Sequence, residues 1–191
     1  HSVGNLGIIK EDEQKLVYQT LTEEGFDGVL AVHCEKESLL RPDLWNPSRP
    51  TTHSYARPPE AEISSVLDQL AFADDLGFKG NLHICHVSVP ISAEDIEFVG
   101  ERSNIKITCG VTPHHLFLNN ENVDINNSNF KVSPEIRTKN DNQELINGLI
   151  DKTIELIASD HAPHTKEEKK LDYISAKPGF IGLETLFPVC Y

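Results

Sequence analysis

Asp160 stands in the stretch IASDHAPHTKEEK (157–169), where an apolar run ends in an aspartate, two histidines and a proline. An aspartate at the mouth of a buried strand can bind a divalent ion with one oxygen and take a proton from an activated water with the other. Other apolar runs of the chain end in a similar way. GVLAVHC (28–34) delivers His33, NLHICHVS (81–88) delivers His86, and NIKITCGVTPHH (104–115) runs into His114 and His115. Singly, each could be a polar turn. Jointly they point to a metal site, because successive strand ends delivering histidine or aspartate to one place are hard to obtain by accident. Neutral imidazole and carboxylate suit zinc or a similar divalent ion, whereas calcium would ask for more oxygen donors. His164 follows on the next loop, where an imidazole can donate to an anionic substrate group. His161 is the weaker candidate, since a structural hydrogen bond explains it equally well.

The cysteines compete poorly as ligands. Cys34, Cys85, Cys109 and Cys190 form no C-x-x-C pair, and a cysteine in an apolar run usually behaves as a small buried hydrophobe. Cys34 and Cys85 each adjoin a strand-end histidine, so the alternation of a strand points them to the opposite face, as packing residues. Free thiols suit a reducing cytoplasm. The 191 residues carry 17 Lys and Arg against 30 Asp and Glu, a net charge of −13. Such a surface repels phosphate backbones and argues against a nucleic-acid partner. No apolar run approaches the roughly 20 residues that span a bilayer, and no signal peptide is visible. The chain starts at His1 and contains no methionine, which leads us to expect an incomplete sequence.

Alternating elements must position these residues. EDEQKLVYQTLTEEG (11–25) reads as a helix with acidic residues in its first turn and Gly25 as its stop. RPPEAEISSVLDQLAFADDLG (57–77) places Ile63, Val66, Leu67 and Leu70 at helical spacing, between prolines and Gly77. SAEDIEFVGERS (92–103) begins with Ser92 and Asp95 in a capping-box pattern, and NDNQELINGLIDK (140–152) is a further helix. The strands are 28–34, 81–88, the run from 104, and TIELIAS (153–159). Strands alternating with helices predict parallel βα units, in a doubly wound sheet or a barrel. EKESLL follows Cys34, so the glycine-rich turn of a dinucleotide fold is missing. Residues 41–59, with five of the 11 prolines, and the Asn-rich 119–139 read as long functional or surface loops. In a parallel barrel the strand C-termini gather on one face, where such enzymes keep their active sites.

Six stretches carry a resemblance to a known family: AVHCE (31–35), ARPPEAE (56–62), LHICHVS (82–88), VTPHHLFL (111–118), ASDHAPHTKEEK (158–169) and PGFIGLET (178–185). In that order the chain resembles the dihydroorotases of the amidohydrolase superfamily, in the branch holding bacterial class I enzymes and the dihydroorotase domain of the animal multifunctional pyrimidine protein. The sister allantoinases and dihydropyrimidinases keep the Asp-His but usually lack the second histidine after A-P. The resemblance implies a (β/α)8 TIM barrel of the metal-dependent hydrolase type with one or two Zn2+ ions. It implies His33, His86 and Asp160 as metal ligands, Asp160 also as general acid and base, and His164 against the substrate carboxylate. The backbone around Pro178 and Gly179 would hold the pyrimidine ring. The implied reaction is the reversible cyclisation of N-carbamoyl-L-aspartate to L-dihydroorotate in pyrimidine biosynthesis.

Departures qualify this. KVSPEIR (131–137) has Ser133 where many relatives carry an asparagine that contacts substrate, which bears on affinity more than on chemistry. The family's H-x-H pair of the first strand and the bridging carboxylate of the fourth are nowhere in the chain, and HSVGNLGI resembles the segment after that fourth strand. Residues 1–191 are therefore expected to form the second half of the barrel, about strands five to eight. The N-terminal half and the C-terminal β-domain would be absent, and the chain alone would be inactive. The partners implied are the small-molecule substrate, a second copy in a homodimer, and aspartate transcarbamoylase. Two rival readings are a sister cyclic amidohydrolase (allantoinase or dihydropyrimidinase) and a non-catalytic dihydroorotase-like subunit that scaffolds aspartate transcarbamoylase.

Overall fold

The computed structural model describes residues 7–46, 48–49, 52–102, 105–124 and 126–191. Most of the segment HSVGNLGI lies outside the described residues. Helix α1 (Glu11–Glu23) leads to strand β1 (Val29–Val32), the short helix α2 (His53–Ala56) and the long helix α3 (Pro59–Asp75). Strand β2 (Asn81–Ile84), helix α4 (Pro90–Gly100), strand β3 (Lys106–Val111) and helix α5 (Pro113–Phe117) follow. Helix α6 (Lys139–Asp151), strand β4 (Leu156–Ile157) and the helices α7 (Lys166–Lys169) and α8 (Leu183–Cys190) complete the chain.

The strands form one parallel sheet in the order β1-β2-β3-β4, with Val29 opposite Asn81, Asn81 opposite Lys106, and Gly110 opposite Leu156. A doubly wound sheet reverses its strand order at a switch point, whereas a barrel adds each strand beside the last. Sequential order therefore marks a segment of a (β/α) barrel and decides between the two architectures that the alternation alone leaves open.

Strand alternation separates two faces. Leu82, Ile84 and Cys109 are buried in one hydrophobic core with Leu30 and Val32, beneath Val66, Leu70 and Ala73 of α3. The three α3 residues recur at i, i+4 and i+7, one face of a helix. Leu67 instead is exposed, one position off that stripe. On the other face stand Ala31, Thr108, Gly110 and His83, whose Nδ1 lies 2.9 Å from Thr108 Oγ1. These residues are small or polar, unlike the apolar set on the core face.

Some boundaries differ from those read from the sequence. Helix α4 starts at Pro90, and Ser92 is buried in its first turn without capping it. Proline's fixed φ starts the helix there and takes the place of a side-chain cap. Thr138 and Asp141 form a true capping box for α6. The last strand shrinks to Leu156–Ile157, although Ala158 N still donates to Val111 O at 2.8 Å. Having a single neighbour, it has little ladder to extend. Its residues and Val29 at the opposite edge are exposed large hydrophobics. Among the described residues, no helix is long and apolar enough to cross a membrane.

Candidate metal and substrate site

The sheet brings His33 and His86 into contact. His33 follows β1 directly, and its Nδ1 lies 3.1 Å from His86 Nε2, with ring centroids 4.7 Å apart. His86 gets there through a left-handed backbone, φ 36°, which breaks the alternation of β2. That break corrects one expectation. Cys85, in line with His83, stands half-buried where the Asp160 charge reaches it, instead of in the core. Burial, then that charge, raises its pKa. Cys34 does join the core. Burial pushes His86 below the usual histidine value, His33 pushes it the same way, and Asp160 opposes both. Asp160 likewise lies in the left-handed region, φ 42°. Such conformations cost on the order of 1–3 kcal/mol and persist where the surroundings enforce them, often at active sites.

His33 is held from behind. Its Nε2 lies 2.9 Å from Glu35 Oε2, and Arg57 forks the same carboxylate, Nε to Oε1 at 3.0 Å and Nη2 to Oε2 at 2.5 Å. Burial alone would raise the Glu35 carboxyl, but the His33 hydrogen bond and the Arg57 charge outweigh it and hold the group at about 2. A carboxylate on Nε2–H leaves Nδ1 as the lone-pair nitrogen, the arrangement usual for metal-binding histidines. On the His86 ring, the buried Nδ1 has no hydrogen-bond partner. Two nitrogens bound to zinc at about 2.0–2.1 Å in a tetrahedral site stand about 3.3 Å apart, near the spacing seen. Among the described residues, no three His, Cys, Asp or Glu side chains come together closely enough to enclose a metal. The donor set thus fits part of a divalent-ion site: two imidazoles, with Asp160 acting on one of them through its charge.

The other histidines divide by their partners. His115 is fully committed, Nδ1 to Thr112 Oγ1 at 2.8 Å and Nε2–H to the Pro134 carbonyl at 3.1 Å, a structural role. His161 is structural as well, its Nδ1 accepting the Gly182 and Leu183 amides at 3.1 and 3.2 Å. His114 is buried, with Nε2 unpartnered and the ring stacked on Phe180 at 4.6 Å. Burial, reinforced by His86, drives its pKa to about 3, so it is neutral.

His164 Nε2 lies 3.0 Å from the Pro178 carbonyl, with Glu168 3.7 Å from Nδ1. It so joins the loop after Asp160 to the Pro178–Gly179 turn. Gly179 has φ 147°, and a Cβ there would lie 2.4 Å from Ala162 O. Only glycine lets those backbones approach. Ser133 is half-buried, just before the cis bond to Pro134.

Two lysines that sequence reading passes over fasten this loop. Lys131 Nζ donates to the carbonyls of Tyr173, Ile174 and Ala176 at 2.8–3.0 Å, and Lys169 Nζ donates to those of Lys131, Lys177 and Gly179 at 3.0–3.3 Å. Burial, then the Lys131 charge, lowers Lys169 to about 8, so it is still mostly an ammonium donor at neutral pH. Glu35 and Arg57 are likewise missed as side chains, although AVHCE and ARPPEAE contain them. A glutamate two residues past a strand-end histidine is the available signal.

Known proteins share this chain's sequence and fold. It is 35% identical over 185 residues to the dihydroorotase of Anoxybacillus flavithermus, covering 93% of this chain and 41% of that protein. It is 36% identical over 192 residues to the dihydroorotase of Brevibacillus brevis, covering 97% and 43%. The chain thus spans about two fifths of the length of these curated relatives. Among solved structures, the L-hydantoinase (dihydropyrimidinase) of Arthrobacter aurescens superposes with a TM-score of 0.87 at 23% identity, over 99% of this chain and 43% of that one. The dihydroorotase of Saccharomyces cerevisiae, in complex with 5-fluoroorotic acid, gives 0.68 at 20%, over 91% and 45%. These two share the fold. No protein-family model matches the chain.

Proposed function

We propose, from the premise that this chain is homologous to dihydroorotases over nearly all of its length, that it is the second half of such an enzyme's catalytic barrel. The reaction would be the reversible cyclisation of N-carbamoyl-L-aspartate to L-dihydroorotate. The observation that carries the reading is the meeting of His33 Nδ1 and His86 Nε2 at 3.1 Å, at the strand ends where Asp160 also stands.

His33 and His86 would hold one divalent ion, and Asp160 would be a ligand of another. Zinc, when bound, supplies a Lewis acid that polarises the carbonyl and activates water. Glu35 fixes the His33 tautomer. Asp160 carries the proton between the water oxygen and the ring nitrogen that leaves in the hydrolytic direction. The His164 imidazole faces the substrate carboxylate while its Nε2 keeps Pro178 in place. Pro178 and Gly179 offer backbone groups to the pyrimidine ring, and Ser133 offers a shorter contact than asparagine would. The four free cysteines suit the cytoplasm, and we propose a homodimer as the assembly.

The full-length protein tests this with three substrates compared side by side. Dihydroorotate should be turned over in preference to dihydrouracil and allantoin. His164→Asn should raise KM for dihydroorotate and leave any weak dihydrouracil activity alone. Preference for dihydrouracil would move the chain to the sister dihydropyrimidinases, and metal binding without turnover would mark a scaffolding subunit.

A further inference from the structure

A buried polar chain runs from His33 to the turn that carries His86, through charged residues placed against neither the ion nor the substrate in the reading above. It begins with Glu35 on His33 Nε2 and Arg57 forked on Glu35. The Arg57 carbonyl accepts Arg137 Nη1 at 2.8 Å, and Arg137 Nε donates to Ser88 Oγ at 3.2 Å. The Ser88 hydroxyl in turn meets Glu62 Oε2. Glu62 Oε1 accepts the backbone amides of Ser88 at 2.9 Å and Val89 at 3.0 Å. Glu62 thereby fixes the backbone just after His86, as Glu35 fixes the ring of His33.

Glu35, Glu62 and Arg137 are buried, at 7%, 2% and 8% exposure. Apolar residues of similar volume often serve stability as well as a buried ion pair does, because each ion loses several kcal/mol of hydration. Stability alone is therefore a poor reason for four charged side chains here. Their geometry offers a better one, since the two ends of the chain fall on the two imidazole-bearing turns.

We propose that Glu35, Arg57, Arg137 and Glu62 form a positioning network that sets the spacing and angle of His33 against His86, preorganising the pair for a divalent cation. This rests on the metal-site reading above. The network explains why ARPPEAE and KVSPEIR carry these charges far along the chain from the histidines they serve.

The test uses the full-length protein, stripped with a chelator and reloaded with Co2+. Cobalt affinity is measured by chelator competition, the visible cobalt spectrum reports ligand geometry, and thermal melting of the stripped protein reports folding. Two conservative variants are compared with the parent. Glu35→Gln keeps shape but removes charge, and Arg57→Lys keeps charge but removes the fork. Each should weaken cobalt binding about 10- to 100-fold and shift the spectrum at a temperature where the stripped variant is still folded, even where its melting point falls. Parental affinity and spectrum in both variants overturn the proposal and leave the metal reading standing. Affinity loss that only follows early melting in both makes the network merely structural and also overturns it. A parent that loads no cobalt overturns the metal reading and this proposal together.

Discussion

At the scale of single residues, the site depends on where protons and lone pairs are held. Asp160 is the group proposed to move the proton, and general acid–base groups typically contribute 10²–10⁴-fold. Asp160→Asn in the full-length protein should therefore lower kcat by about 10²–10⁴-fold, with melting temperature preserved, as steady-state kinetics and calorimetry will read. Glu35 gives a pH prediction. Its carboxyl sits at about 2 in the folded chain against an ordinary value of 4.5. The unfolded state therefore binds more protons between those values, and stability falls as pH drops through that window. Above it the contribution is fully present, on the order of 3 kcal/mol. Acid titrations of stability should be less steep below pH 4.5 for Glu35→Gln than for the parent. Identical slopes would show that Glu35 contributes nothing in that window.

At the scale of elements, the turns matter more than the helices. Gly179 lets the Pro178–Gly179 turn press on Ala162. Gly179→Ala adds a Cβ where no space exists and a backbone strain of about 1–3 kcal/mol. It should raise KM for dihydroorotate by about tenfold or more while α6 and the sheet stay intact by circular dichroism. The capping box of α6 provides the contrast. Thr138→Ala removes the acceptor for Asp141 N, costs about 1 kcal/mol, and should lower melting temperature with KM unchanged.

The elements also show what a sequence makes legible. His33 and His86 could be assigned to one face because a parallel barrel gathers its strand ends, a rule that needs no side-chain detail. The Glu35–Arg57 fork could not be read that way, because it joins residues 22 apart through a loop whose path no periodicity encodes. Cys85 departs from the alternation for a local reason. Strand alternation predicts its direction only while φ stays extended, and at His86 it does not. Ser92 failed as a cap because Pro90 starts the helix earlier.

At the scale of the whole molecule, two edges of the sheet decide behaviour. The described strands leave β1 and β4 with one neighbour each, and Val29, Leu156 and Ile157 are exposed there. Unpaired edges with apolar residues invite association. Residues 1–191 expressed alone should run as aggregates in gel filtration and show no dihydroorotate turnover. A monomeric, active preparation of this chain would contradict the half-barrel reading. Sequential strand order was inferable only as one of two architectures from the alternation of elements, because nothing in a strand's own residues names its neighbour.

The left-handed backbone at His86 and Asp160 has a consequence for how these positions can vary. Few side chains tolerate φ near 40°: glycine does so freely, and asparagine, aspartate and histidine are the main others. Three of those four can bind a metal or pass a proton. A library randomised at 86 and 160, and selected only for folding, should thus return an alphabet already weighted toward ligands. Selection for chemistry then has a short list to choose from. The fold narrows the vocabulary, and the reaction chooses the word.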